Sequence, residues 1–291
     1  MTLVSIGDQV REGTYRFHSR FRRAVNFLSV DGHDGAWPSK CDSRWVSLVD
    51  EAIGDGPQNI VIRDFDAEPI PSGSAPLLIT ANTVAFGPHR FSFTDNDTYC
   101  STVLVADWDR SLFERNLAVL ENELRAASPP KSLAFLLDES RIMNFRPGFE
   151  RVFTDQIRRG VDRIMCGHVL DGVRTLKGCG LGLTPSGDDF IAGLLIGLNL
   201  LGQLHSRDHQ KLADEIFRAA KGGNVFSNTF LDLARRGLLF GRMKNLVHAL
   251  LHESEDAVRK SAAKVLAIGG SSGADLGTGF LLTMRGKLGV S

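Results

Sequence analysis

Two short phrases hold the residues best suited to chemistry. Residues 184–193 read Thr-Pro-Ser-Gly-Asp-Asp-Phe-Ile-Ala-Gly, and residues 270–279 read Gly-Ser-Ser-Gly-Ala-Asp-Leu-Gly-Thr-Gly. Both contain Ser-Gly-x-Asp-x-x-x-Gly: Ser186, Gly187, Asp189 and Gly193, then Ser272, Gly273, Asp275 and Gly279. Each follows a glycine-rich turn and runs into an apolar segment, the pattern of a buried helix start. Such a start presents free N–H groups at a positive dipole end, which suits an anion. Two starts facing each other would share one pocket. The N–H groups near Gly187 and Gly273 would then serve a phosphate, a carboxylate or a developing oxyanion.

Capping alone also accounts for part of the pattern. Ser186 as N-cap would accept from the Asp189 N–H, and Asp189 would reach back to the Ser186 N–H. Ser272 and Asp275 match the same capping box. Thr184 as N-cap with Pro185 at the first helical position is an equal alternative. Three features exceed capping. Gly178, Gly180, Gly182 and Gly187, with Gly269, Gly270 and Gly273, are more glycines than a cap needs, and glycine lets a ligand approach the main chain. Asp188 has no counterpart, since Ala274 stands in the second copy. Gly193 and Gly197, like Gly273 and Gly277, lie one turn apart and allow the two helix starts to sit side by side. Asp188 and Asp189 are therefore the catalytic candidates, to orient an amide NH2 or shuttle a proton. Two adjacent carboxylates repel a bare phosphate and suit a Mg²⁺-bridged phosphate or an amide or amine group. Thr184, Ser186, Gly187, Ser272, Gly273 and Asp275 complete the binding set.

Other constellations are weaker. Arg16, His18, Arg20 and Arg22 alternate along a strand, which reads first as a solvated outer face and second as a basic wall for an anionic substrate. Gly269 to Gly273 matches Gly-x-Ser-x-Gly, but a hydrolase elbow needs a preceding strand and a later histidine, and the last histidine is His252. His205/His209 and His248/His252 are spaced for one helix face but lack a third ligand. Cys179 has no evident base. Gly286-Lys287 is followed by Leu288, so no phosphate-binding loop forms there, and Gly178-x-Gly180-x-Gly182 is not a dinucleotide fingerprint.

Equal numbers of basic and acidic residues, 34 of each, exclude nucleic-acid binding by bulk charge. Cys41, Cys100, Cys166 and Cys179 form neither a disulfide framework nor a zinc spacing. The N-terminus lacks the pattern of a signal peptide. The apolar run from Phe190 to Leu201 is shorter than the ~20 residues of a membrane span. A cytoplasmic protein acting on a small molecule is the expectation.

The elements that must position these residues fall into two regions. Short strands are expected over 15–21, 24–30, 59–63, 77–79, 83–86 and 90–93, with 45–53 either strand or short helix, and a turn at Asp31-Gly32. Helices are expected over 111–127, 131–144, 148–166, 188–203, 207–221, 228–239, 241–252 and 255–267, and after Ser272. The fold class is α+β: a β-rich barrel- or sandwich-like domain over 1–108, then a mainly helical domain over 109–291 holding the glycine-rich site.

The block Gly180-Leu181-Gly182-Leu183-Thr184-Pro185-Ser186-Gly187-Asp188-Asp189-Phe190 resembles the signature of the AllH-like family, long catalogued as a bacterial domain of unknown function. Ser227 to Gly237, Gly270 to Asp275, and His18-Ser19-x-Phe21 with Ala24-Val25-Asn26 resemble its looser blocks. One departure is Gly180-Leu181-Gly182 where the family has Gly-Pro-Gly, which changes the rigidity of the turn and keeps its polar groups. The resemblance implies a subunit of an oxamate carbamoyltransferase, working with two other subunits in purine and allantoin breakdown. That enzyme cleaves oxalurate with phosphate to oxamate and carbamoyl phosphate. The implied partners are those subunits and a small anionic metabolite: phosphate, carbamoyl phosphate or an oxamate-like compound. His18 and Ser19 join the binding candidates on this resemblance. A non-catalytic metabolite-binding or scaffold subunit is the alternative.

Overall fold

The computed structural model describes residues 1–30, 45–65 and 76–286. The Asp31-Gly32 turn, Cys41, Lys287 and Leu288 lie outside the described residues. The chain divides into two compact units, the first made of residues 1–102 with 239–241 and the second of the remainder.

Nine described strands make the first unit a curled sheet, a half-barrel. They are β1 (Thr2–Gly7), β2 (Gly13–Phe21), β3 (Ala24–Ser29), β4 (Trp45–Asp50), β5 (Asn59–Arg63), β6 (Leu77–Ile79), β7 (Thr83–Phe86), β8 (His89–Ser92) and β9 (Thr98–Tyr99). Their order is β8-β7-β6-β2-β3-β4-β5-β1-β9. Neighbours are antiparallel except β4–β5 and β1–β9. Tyr15, Val25, Phe27, Leu48, Ile60 and Ile62 are among the side chains that fill one core. Residues 45–50 are strand rather than helix because both faces are buried, from Val46 through Val49. β1 and the two-residue β9 lack a clear alternating pattern, and pairing makes them strands: β1 lies between β5 and β9.

The alternation read along β2 fails at one residue. Phe17 faces Phe27, but Ser19 faces Asn26, so His18 is an extra residue in β2. The bulge re-phases the strand. Arg20 then pairs with Val25, a core residue, and leaves the row of Arg16 and His18. The continuous basic wall of Arg16, His18, Arg20 and Arg22 therefore does not form.

The second unit is helical: α1 (Arg110–Ala127), α2 (Phe149–Met165), α3 (Val169–Leu176), α4 (Ser186–His205), α5 (Gln210–Ala220), α6 (Val225–Arg235), α7 (Gly241–His252), α8 (Glu255–Leu266) and α9 (Ser272–Met284). Residues 131–144 are two 3-10 segments instead of the expected α-helix. Asp138 interrupts them by accepting from the Ser140 N–H and hydroxyl. Arg141 then turns back and donates to the carbonyls of Arg125, Ser128 and Pro129, closing the end of α1. Among the described residues no helix is long and apolar enough to cross a membrane.

α4 and α9 form the most extensive helix–helix contact. They are mostly apolar on all sides, so α4 from Gly187 to Leu198 and α9 from Gly273 to Met284 are buried on all sides. Their crossing has a local two-fold character. A Cβ on Gly193 would overlap the Leu276 carbonyl oxygen, and one on Gly279 would overlap the Phe190 carbonyl oxygen. Phe190 and Leu276 occupy equivalent places in the two copies of the phrase, as do Gly193 and Gly279. Each helix thus lays a glycine against the other's backbone.

Candidate functional site

The site is built at the starts of α4 and α9. On the first side, α3 ends at Leu176 and the turn folds back on it. The Cys179 N–H donates to the Leu176 carbonyl at 3.0 Å, and the Gly187 N–H donates to the Cys179 carbonyl at 2.8 Å. Gly180 has φ of +120° and lies against the Ser186 N–H, where a Cβ would come within 2.6 Å. On the second side, the Gly273 N–H donates to the Ile268 carbonyl at 3.1 Å. The two glycines expected to offer N–H groups to an anion therefore spend them inside the protein. Their role is close packing, since a Cβ on Gly187 or Gly273 would overlap the Leu176 or Val265 carbonyl oxygen.

The expected capping boxes do not form either. Pro185 and Ser271 take the N-cap positions, and Ser186 and Ser272 move to the first helical residue. The Asp189 N–H is satisfied by the Pro185 carbonyl and the Asp275 N–H by the Ser271 carbonyl. The serines instead reach across the helix pair. Asp275 Oδ2 accepts from the Ser271 hydroxyl at 2.8 Å, and the Ser186 hydroxyl of α4 lies near enough to act against the rise in its pKa. Asp189 has the hydroxyls of Ser272 and Thr184 as its hydrogen-bonding neighbours, and those two hydroxyls lie 3.4 Å apart. The Ser-x-x-Asp spacing thus joins two helices reciprocally.

The two carboxylates differ in their remaining bonds. Asp275 Oδ1 also accepts from the Leu133 N–H at 2.6 Å. Asp189 Oδ2 is buried without a hydrogen bond. Burial pushes the Asp275 carboxyl up to about 6, against the lowering effect of its donors. Asp189 is raised well above the usual carboxylate range, first by burial and further by the charges of Asp275 and Asp188. Asp188 is placed differently again: its Oδ1 accepts from the Gly178 N–H at 2.7 Å and ties down the turn.

A raised carboxyl binds its proton more tightly in the folded chain than in the unfolded one. Its contribution to stability is present below about pH 4 and is lost as pH rises through about 6. The Asp275→Asn variant lacks this titration. Melting both proteins from pH 4 to pH 7 should show wild type losing ground on the variant by roughly 2–3 kcal/mol. A constant difference across that range would contradict the assignment.

A cavity of about 290 Å³ opens where the two turns meet, lined by Lys131, Phe145, Phe149, Glu150, Ser186 and Ser271 among others. Lys131 pairs with Glu150 at 2.7 Å. Asp188 and Asp189 do not line it and are buried. Thr184, Ser186, Asp189, Ser272 and Asp275 are thus brought together, while Asp188 acts on the turn. His18 and Ser19 belong to the first unit. Among the described residues no group of three His, Cys, Asp or Glu side chains is placed to hold a metal ion. Cys166 and Cys179 are free thiols.

Asn224 was not singled out from the sequence. It caps α6 by accepting from the Phe226 and Ser227 N–H groups, and it donates to the Leu183 carbonyl at 2.8 Å. It therefore pins the glycine-rich turn from a third helix. The legible signal was an asparagine just before the apolar Val225-Phe226 pair.

The family model of oxamate carbamoyltransferase subunit AllH matches residues 176–284, from the end of α3 through the end of α9. No solved structure matches the chain.

Proposed function

We propose that this chain is a subunit of a carbamoyltransferase complex, and that the α4–α9 start binds a small amide-bearing carboxylate of the oxamate or oxalurate type, or carbamoyl phosphate. The family match supports the subunit role. The observation that carries the ligand class is the direction of the serine hydroxyls. Ser186 and Ser271 both line the cavity; the Ser271 hydroxyl donates to the buried Asp275, which leaves its oxygen to accept from a ligand, and Ser186 lies beside the same carboxylate. An acceptor there suits an amide NH2 better than a bare anion, while Lys131, paired with Glu150, places a cation at the carboxylate or phosphate end. Asp275, Asp189 and Asp188 are positioning residues, holding Ser186, the helix pair and the turn.

Phe149 and Leu181, 79% and 86% exposed, flank the same cavity. Exposed large apolar side chains beside a polar pocket favour a surface covered by another subunit. The scaffold alternative shares that feature and differs in lacking the ligand.

A thermal-shift panel with phosphate, carbamoyl phosphate, oxamate and oxalurate tests the reading. A ligand present at 100 times its Kd stabilises by about 2.7 kcal/mol. We expect oxamate, oxalurate or carbamoyl phosphate to raise the Tm by several degrees and phosphate alone to raise it less. No response to any of them would leave only the scaffold role.

A further inference from the structure

We propose that Ser19 in the first unit is a reactive hydroxyl, backed by His18 as its base, that accepts an acyl or carbamoyl group from an activated small ester or mixed anhydride. This rests on no feature of the α4–α9 site. In a regular strand His18 and Ser19 would point to opposite faces. The bulge at His18 removes that alternation and brings His18 Nδ1 to 3.0 Å from Ser19 Oγ.

Three strands lie abreast at this point, with Ser19 paired to Asn26 and Asn26 paired to Ser47. Their side chains form a polarised chain. The Ser47 hydroxyl donates to Asn26 Oδ1 at 2.5 Å. Asn26 must then present its NH2 group, which donates to Ser19 Oγ at 3.1 Å. Ser19 Oγ accepts there through one lone pair, and its own proton can go to His18 Nδ1 in the tautomer that leaves that nitrogen unprotonated. A serine whose proton is directed at an imidazole, and whose oxygen receives a fixed donor, is the arrangement of an activated nucleophile. Asn26 and Ser47 are buried, so the direction of the chain is held in a dry setting, while His18 is exposed and Ser19 half-buried. Arg16, exposed two residues earlier, suits a donor with a carboxylate or phosphate.

The step balances without a further reactant. Ser19 Oγ attacks the carbonyl carbon and the Oγ–C bond forms. The bond from that carbon to the leaving oxygen breaks, and the serine proton passes through His18 Nδ1 to the leaving oxygen or to solvent. Water or a second acceptor then releases the group and restores the hydroxyl.

The test uses the full chain and p-nitrophenyl acetate as the probe. We expect a burst of nitrophenolate and one acetyl group on the peptide carrying Ser19. Ser19→Ala should remove both. His18→Ala, which changes an exposed side chain, should keep its melting temperature and label on the order of 10²-fold more slowly. Acetylation of other residues without Ser19, or a His18→Ala variant that labels Ser19 at the wild-type rate, would overturn the proposal.

Discussion

Gly193→Ala should unfold or severely destabilise the helical unit, and Gly279→Ala should do so to a similar degree. In an ordinary helix either change would add stability, by up to about 1 kcal/mol, since alanine is the better helix former. Here the new Cβ lands on a backbone carbonyl of the facing helix, of Leu276 in one case and of Phe190 in the other. Backbone in the middle of two buried helices cannot step aside as a side-chain tip can. The helices must separate, and the apolar packing between Ser186 and Met284 loosens with them. Overpacking of a tight core costs about 1–3 kcal/mol, and a clash with backbone belongs at the upper end or beyond. Gly270→Ala is the control, because a Cβ there meets nothing within 4 Å. Urea denaturation of the three variants checks the claim. Wild-type stability in Gly193→Ala would mean that the two helices do not cross as described.

Asp275→Ala should be the second large loss, about 3 kcal/mol. It strands the buried Leu133 N–H and removes the acceptor of the Ser271 hydroxyl. Each buried donor left unmade costs about 1–3 kcal/mol. Asp189→Ala should cost clearly less, because Asp189 Oδ2 has no bond to lose and no backbone N–H depends on the side chain. The two residues are equivalent in sequence, so a difference between them is a stringent check on the geometry. Equal losses in a denaturation series would contradict it. Asp275→Asn should fall between wild type and Asp275→Ala near pH 7, since its amide oxygen still accepts from Leu133.

The general plan was legible because period and punctuation agree. Short alternating runs between Gly, Pro and Asn segments became strands, and the helical periodicity after residue 109 became helices. The departures share one cause, a partner distant in sequence. The serines of the twin phrase fit a capping box perfectly well on their own; only the facing helix shows that they serve the other copy's aspartate. The glycines read as room for a ligand because a ligand and a neighbouring backbone ask for the same absence of Cβ. Arg20 read as part of a basic row because a bulge leaves no mark in local composition. α3 was missed because eight residues after Gly167, itself at φ +85°, are too few to establish a period. Asp188 drew attention as the unrepeated carboxylate, and the Gly178 N–H it holds also belongs to the one copy with the longer turn.

The chemistry was legible in kind more than in direction. Serines, carboxylates and glycine-rich helix starts pointed to a small polar ligand. Their hydrogen bonds decide which group of that ligand each one meets. With Ser271 donating inward to Asp275, the proposed pocket would take protons from its ligand there, and the amide end rather than the anionic end would belong at the serines.

The most direct test of that claim is isothermal titration of oxamate into the wild-type protein and into the Ser186→Ala/Ser271→Ala double variant at pH 7.5. A hydrogen bond in such a pocket contributes about 0.5–1.5 kcal/mol, so losing two should weaken binding roughly tenfold or more in a variant that melts lower, having lost a donor to Asp275, but is still folded at about 25 °C. Oxamate binding of unchanged affinity in a folded double variant would contradict the account, because the ligand would then be held somewhere other than the start of α4 and α9.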